Sequence, residues 1–354
     1  MESITSFKDL STIIISSRGN ATSVDWNQFG LVNVQQQKDL ILFSYKKECQ
    51  FKKPEEWNWF EKVSRGLVMN TQGEIVARPF DKFWNYGEVF PEGQPVEITE
   101  KVDGSLILIY PYEEGIRTST RGSFTSDQAL WAAEYIKKHL NLEGLIGKGI
   151  TLLCEAIYPE NQIVVDYKGK EDLVLLGVRD REGGGDWWYS AVKQLADSYG
   201  MSTPKSYDIA DIDSWLERAK TLGSDYEGWV VRYDNGTRVK VKGALYLELH
   251  KWINRLTLKV VAKAMVDGTY AELEEGCPAY LLETLRSLRC TIERQYAEIY
   301  TEILVTYIKA PTRGSRKDFA IWVNSNYPQM AKYLFACHDK KELFGMILKQ
   351  EYGV

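Results

Sequence analysis

Histidine is scarce in this chain and cysteine is scattered. The three histidines, His139, His250 and His338, lie far apart in sequence, which leaves little basis for a histidine-bound metal or a Ser-His-Asp triad. The five cysteines, at positions 49, 154, 277, 290 and 337, include no Cys-x-x-Cys pair. That argues against a zinc site or a disulfide framework and predicts reduced, small core residues. No apolar stretch is long enough to cross a bilayer, and the opening "MESITSFKDLSTIIISSRGN" has no basic segment leading into an apolar core. A cytoplasmic protein without a membrane partner is therefore expected. Net positive charge is lacking too. A formal charge of −5 counts against affinity built mainly on phosphate neutralisation, while leaving room for a local basic groove. The residue types left to carry chemistry are lysine, arginine and the carboxylates.

At 354 residues the chain can build two domains, or one large domain with an appendage. Up to about residue 250 the pattern is mixed α/β. Strand-like runs occur at 149–158, 162–167, 173–180 and 228–243, the last a hairpin in which Asn235-Gly236 suits a type I′ turn. Residues 126–140 have helical spacing through Ala129, Ala133, Ile136 and Leu140 behind a Ser/Thr cap, and further helices are expected at 189–199 and 210–221. Beyond Ile253 strand signals vanish. Leu281, Leu285, Leu288, Ile292, Tyr296, Ile299 and Ile303 keep a helical period, with more helix expected at 315–324 and 328–350. This predicts a separate all-helical domain over 251–354. Near the N-terminus, Lys46, Lys47, Lys52, Lys53, Lys62 and Arg65 are interleaved with Tyr45, Phe51, Trp57, Trp59 and Phe60. The stripe reads either as a solvated face over an aromatic core or as a basic, aromatic binding surface.

The segment "TEKVDGSLILIY", 99–110, sets Lys101 and Asp103 two positions apart between two strand-like runs. Asp-Gly is an ordinary hairpin turn. A lysine on a rigid turn against an apolar scaffold also loses hydration, which favours the neutral, nucleophilic amine. Downstream, "TLLCEAIYPE" buries Glu155 in an apolar strand, where it needs a cation or a buried ion-pair partner, and "YEGWVV" puts Glu227 just ahead of another strand. "RVKVKG" places Lys240 and Lys242 on one strand face, with Val239 and Val241 on the other. A lysine, two glutamates and a same-face lysine pair, each at a strand edge, fit one polyphosphate site with a divalent metal. "REGGGDWW", 181–188, follows a strand but lacks the Gly-Lys-Ser/Thr of a P-loop and reads as a mobile loop.

The order and wording of these segments resemble the covalent nucleotidyltransferase superfamily of RNA ligases, DNA ligases and capping enzymes, and within it the bacteriophage-type RNA ligase 1 family. "KVDGS" is similar to the nucleotide-attachment motif Lys-x-Asp-Gly. "LLCEAIYPENQIVVDY", "LVLLGVRD", "YEGWVV" and "VKVKGALYLELH" resemble the later motifs in the family's order. "VSRGLV", "ARPFDKFWNYGE" and "STRGSFTSDQA" resemble its intervening segments, the last with Arg121 where relatives often carry lysine. The likeness runs from about residue 45 to 250.

The resemblance implies an α+β fold: an antiparallel-sheet nucleotidyltransferase domain of the ATP-grasp-like ligase type over residues 1–250, then an all-α C-terminal domain over 251–354. It implies an ATP-dependent RNA ligase that joins 5′-phosphate and 3′-hydroxyl RNA ends through a covalent lysyl-AMP intermediate, with ATP as AMP donor and Mg²⁺ or Mn²⁺ as metal. The RNA partner would include cleaved tRNA, and a phage-encoded chain would work in the host cytoplasm. By this reading Lys101 is the nucleophile. Asp103, Glu155 and Glu227 hold the metal directly or through its water shell, and Lys240 and Lys242 contact the α-phosphate. Arg65 and Lys82 hold the outer phosphates or the RNA 5′-phosphate, Phe83 stacks on adenine and Glu100 reads its amine. Gly104 and Arg121 complete the nucleotide-binding set. Arg286, Arg289, Arg294, Lys309 and Arg313 would give the helical domain a basic surface for RNA, against the alternative of a packing appendage. A DNA ligase or capping enzyme, which would carry an OB-fold after the last motif, and a non-catalytic RNA-binding or assembly protein are the competing readings.

Overall fold

In the computed structural model, which describes residues 3–209, 211–311 and 314–354, the apolar runs become thirteen strands in three sheets. β1 (Val32–Gln37), β2 (Leu40–Tyr45), β3 (Arg65–Asn70) and β4 (Ile75–Ala77) form an antiparallel sheet in chain order. Strand alternation divides its side chains. Ile41, Phe43, Leu67 and Met69 pack on Phe60, Trp26 and the helix Phe7–Ser16, while Leu40, Leu42, Val68 and Val76 face Leu108, Tyr110 and Leu153 of the next sheet.

β5 (Trp84–Asn85) and β6 (Pro95–Glu100) belong to a different layer from the four strands that follow, β7 (Ser105–Tyr112), β8 (Gly115–Thr120), β9 (Ile150–Ile157) and β10 (Asp172–Asp180). These four form an antiparallel sheet in the order β10-β9-β7-β8. Helices Asp127–His139 and Tyr189–Tyr199 cover it through Ala132, Ile136, Val192 and Ala196. It is Ala132, not the expected Ala133, that faces the core. Every residue of β9 is buried, so Glu155 at its end has little access to bulk water. β11 (Ser206–Tyr207), β12 (Gly228–Tyr233) and β13 (Arg238–Lys242) complete the third sheet, β11-β6-β12-β13-β5, antiparallel except for the short parallel β13–β5 pair.

The Lys-x-Asp-Gly segment is therefore not a hairpin turn. Lys101 to Gly104 carries the chain from β6 in one sheet to β7 in another, and the charged end of each sheet meets the other there. Two other expectations change. Residues 162–167 form a loop instead of a strand, because the amides of Val164 and Val165 are taken by Asp103. The β12–β13 turn exists, but Asn235 does not take the positive φ of a type I′ turn; only Gly236, at φ 83°, does.

Residues Met1–Glu248 and Leu249–Val354 form two compact units, the division falling inside the helix Ala244–Arg255. The second is helical: Leu258–Asp267, Tyr270–Glu275, Leu282–Ile308, Arg316–Asn326, Ala331–His338 and Phe344–Tyr352. The expected helix at 328–350 is interrupted at 339–343. Val261, Leu285, Ile292 and Leu348 fill one core, and Ile303, Phe319, Leu334 and Ile347 another. Arg286 and Arg289 of the expected basic surface are paired with Glu274 and Glu293, and Arg313 lies outside the described residues. Cys49, Cys154 and Cys277 are buried, whereas Cys290 is exposed. No helix among the described residues is long and apolar enough to cross a membrane.

Gly228 has φ 140°, and a Cβ there would lie 2.0 Å from the Val241 carbonyl; its own carbonyl accepts the Lys101 amide at 2.8 Å. Gly228→Ala is expected to destabilise the protein by about 3 kcal/mol in urea unfolding, against about 1 kcal/mol for Gly147→Ala, where φ is also positive but the space is open.

Candidate active site

Lys101, Glu227 and Lys242 are brought together by backbone pairing before their side chains meet. Lys101 follows the last residue of β6, and the β12–β13 register sets Gly228 opposite Lys242. In that frame one Glu227 oxygen accepts from Lys101 Nζ at 2.7 Å and the other from Lys242 Nζ at 2.8 Å. The Glu227 side chain is 2% exposed. Burial alone would raise its carboxyl, but the two ammonium groups outweigh that and hold it below the usual range.

Glu155 enters the same place from β9. It is buried and forms no hydrogen bond or ion pair among the described residues, so the buried ion pair that would have explained it is not there. Burial, reinforced by the charges of Glu227 and Asp103 against those of Lys101 and Arg65, pushes its carboxyl up to about 7. A buried carboxylate without a partner is suited to a cation. The described residues nevertheless contain no group of three or more His, Cys, Asp and Glu side chains able to hold a metal. The three carboxylates thus do not form one cluster of direct ligands. Glu227 is engaged by two lysines, leaving Glu155 as the available protein ligand. One carboxylate with substrate phosphates and water is a normal arrangement for Mg²⁺.

Asp103 does something else. Oδ2 accepts the amides of Val164 and Val165, each at 2.9 Å, and Oδ1 accepts the Tyr246 hydroxyl at 2.8 Å. At 3% exposure it fastens the 162–167 loop and Tyr246 to the lysine segment.

A cavity of about 290 Å³ opens beside Lys101, lined among others by Arg65, Phe83, Glu100, Gly104, Glu155, Lys240 and Lys242. That is close to the lower end for a small-molecule site. The Phe83 ring carries cations, Arg65 at 5.5 Å and Lys240 at 4.9 Å from its centroid. Burial, then repulsion from Arg65, Lys82, Lys101 and Lys242, lowers Lys240 to about 6. Burial also lowers Arg65 and raises Glu100. At Gly104 an added Cβ would lie 2.4 Å from the Ala156 carbonyl, so the lysine segment lies directly on β9. Asp103 and Glu227 lie behind the cavity wall, and two more expected residues stand outside it. Lys82, lowered to about 8 by burial and Arg65, lines a neighbouring groove, and Arg121 is exposed with its guanidinium 4.5 Å from the Tyr45 centroid.

The sequence reading missed Arg238, Arg232 and Trp187 on the cavity wall. Arg238 shares the strand face of Lys240 and Lys242, so the same alternation reaches it. Arg232, paired with Glu97 and bonded to the Trp187 carbonyl, has no comparable signal. Arg238 and Arg179 both pair with Asp186, which pins the glycine-rich 181–188 segment to the domain.

These shifts have opposite pH signatures. A Glu155 carboxyl raised from 4.5 to about 7 makes the folded state bind more protons, so its contribution to stability is full below 4.5 and lost as pH rises to 7. Lys240, lowered from 10.5 to about 6, has a cost that is full below 6 and relieved as pH rises towards 10.5. Urea titrations should show Glu155→Gln more stable than the parent at pH 8 by about 1–3 kcal/mol, the difference vanishing near pH 4.5, and Lys240→Met more stable most clearly below pH 6.

The RNA ligase family model of the T4 type 1 enzymes matches residues 63–252, more than half of the chain and all of the site. The chain is 29% identical to a protein of Autographa californica nuclear polyhedrosis virus provisionally named a bifunctional polynucleotide kinase/RNA ligase, over 53% of this chain and 30% of that one. It is 28% identical to a provisionally named RNA ligase of Thermovibrio ammonificans, over 64% and 62%, and 22% identical to an RNA ligase of Rhodothermus phage RM378, over 80% and 82%. The match thus spans less than two thirds of the length of the first two relatives. With Lys101, Glu155, Glu227, Lys240 and Lys242 gathered inside the matched region, the chain belongs to the phage-type RNA ligase 1 family.

Proposed function

We propose that this protein is an ATP-dependent RNA ligase of the nucleotidyltransferase, ATP-grasp-like type, joining RNA 5′-phosphate and 3′-hydroxyl ends through AMP bound to Lys101. The observation that carries the reading is the gathering of Lys101, Lys240, Lys242 and Arg65 around one cavity, where Glu100, Glu155 and the adjoining Glu227 are fewer than the cations they face. A polyphosphate supplies the missing negative charge. Arg65 and Lys240 are placed for its phosphates, and Lys82 for the outer phosphates at the groove beyond Phe83.

The chemistry follows from these positions. Nζ of Lys101, in its neutral form, attacks the α-phosphorus of ATP; the N–P bond forms as the bond to pyrophosphate breaks. Lys240 and Lys242 stabilise the charge gathering on the phosphoryl oxygens, and Glu227 fixes the two lysines it bridges in position. A divalent cation held by Glu155 would neutralise phosphate charge there. An oxygen of the RNA 5′-phosphate then attacks the same phosphorus and frees Lys101, and a 3′-hydroxyl finally displaces AMP and seals the strand. Residues 1–250 serve adenylyl transfer in this account, and residues 251–354 contribute to choice of RNA, cleaved tRNA among the candidates. An OB-fold, needed for a DNA ligase or capping reading, has no counterpart in a C-terminal unit without strands among its described residues.

The test is incubation with α-labelled ATP or α-labelled GTP and Mg²⁺, denaturation, and a chase with 5′-phosphorylated RNA. Label should bind covalently from ATP, disappear in Lys101→Ala, and move to the RNA in the chase. Label from GTP alone, or label that persists in Lys101→Ala, would contradict the assignment.

A further inference from the structure

Apart from Arg65, which lines the nucleotide cavity, the basic, aromatic stripe near the N-terminus is not used there, and the fold sets Tyr45, the buried Trp57 and Lys62 of it in one row with Lys82, Trp84 and Arg121. Tyr45 and Trp57 meet edge to face at 4.9 Å, and Trp57 and Trp84 at 5.9 Å. Cations lie on these rings: Arg121 on Tyr45 at 4.5 Å, Lys82 on Trp57 at 5.3 Å and on Trp84 at 4.9 Å, and Lys62 on Trp84 at 5.9 Å. At one end the row reaches the cavity, because Lys82 Nζ donates to the Phe83 carbonyl and the Phe83 ring carries Arg65 and Lys240.

Rings make these cations unusual. Elsewhere in the stripe lysine is neutralised, as in the bidentate bond of Lys52 to Glu61. Lys62, Lys82 and Arg121 form no ion pair with a carboxylate among the described residues. The carboxylate acting on Lys82, that of Glu88, is bonded to the Asn85 amide and side chain. In a chain of net charge −5, three such cations in one row on aromatic supports form a local positive track. The ring faces hold the cations in place without cancelling their charge. The row of cations is thus spaced to receive phosphates in succession.

We propose that the row Arg121–Tyr45–Trp57–Lys82–Trp84–Lys62 is the track on which a single-stranded polynucleotide lays its backbone phosphates, delivering its 5′ end to Lys101. This inference rests on the proposed ligase function and adds to it the surface that takes the strand. Recognition is by charge and spacing, so it is independent of base sequence and dependent on salt.

Two measurements on the full chain keep the two claims apart. The first is anisotropy of labelled single-stranded oligo-U and oligo-C of about 12 nucleotides without ATP, for the parent, Lys62→Glu, Lys62→Arg and Trp84→Leu. The second is covalent labelling by ATP without RNA. Lys62→Glu should weaken binding of both oligomers about 5- to 10-fold at low salt and lower the slope of log affinity against log salt; Lys62→Arg should restore binding, and Trp84→Leu should weaken it by releasing its cations. Labelling by ATP should stay within about twofold of the parent in Lys62→Glu. Parent-like strand binding by Lys62→Glu, or a strong preference for one base, would overturn the track. Failure of the parent to take label from ATP would overturn the ligase reading while leaving the strand-binding result to stand by itself.

Discussion

The site depends on one buried carboxylate with two ammonium groups. Glu227 immediately precedes β12, and its two oxygens take Lys101, which immediately follows β6, and Lys242 from the end of β13. All three strands are neighbours in one sheet, so pairing register sets the geometry of the pair. Breaking such an arrangement from one side leaves a buried charge uncompensated, a cost of several kcal/mol in comparable cases. The ion pairs therefore both orient the reactive lysine and tie catalytic geometry to the integrity of the sheet.

Around this anchor the charges do not balance. Arg65, Lys240 and Lys82 crowd together with no carboxylate paired to them among the described residues, and Lys240 falls to about 6 as burial and neighbouring cations disfavour its charge. Glu155 shows the converse, a buried carboxyl held up at about 7 with no cation bonded to it. Both groups are poised for partners of the opposite charge, a polyphosphate for the lysines and a metal for the glutamate. The fold tolerates the imbalance because the site lies between two well-packed layers, and Asp103 fastens the lysine segment with three accepted hydrogen bonds.

Much of this was legible in the sequence, for physical reasons. Alternation in "RVKVK" can put Lys240 and Lys242 on one face only, and a carboxylate inside the apolar run of β9 calls for a cation or a buried ion pair. Sheet membership was not legible. Nothing local says that the strands flanking Lys101 belong to different sheets, so the segment also read as a hairpin. The role of Asp103 was hidden for a related reason. Its partners, Val164, Val165 and Tyr246, are brought to it by tertiary structure alone, and the same contacts turned a β-branched run that looked like a strand into a loop. Arg232 reaches the cavity by cross-strand packing, for which one sequence offers no signal.

The central claim is that an excess of cations awaits a polyphosphate, and calorimetry of ATP binding without divalent metal tests it most directly. Run at pH 7.5 in two buffers of different ionisation heat, it should show uptake approaching about one proton per ATP, as the nucleotide returns Lys240 to its charged form, and Lys240→Met should lose most of that uptake. ATP binding with no proton uptake, or with proton release, would contradict it.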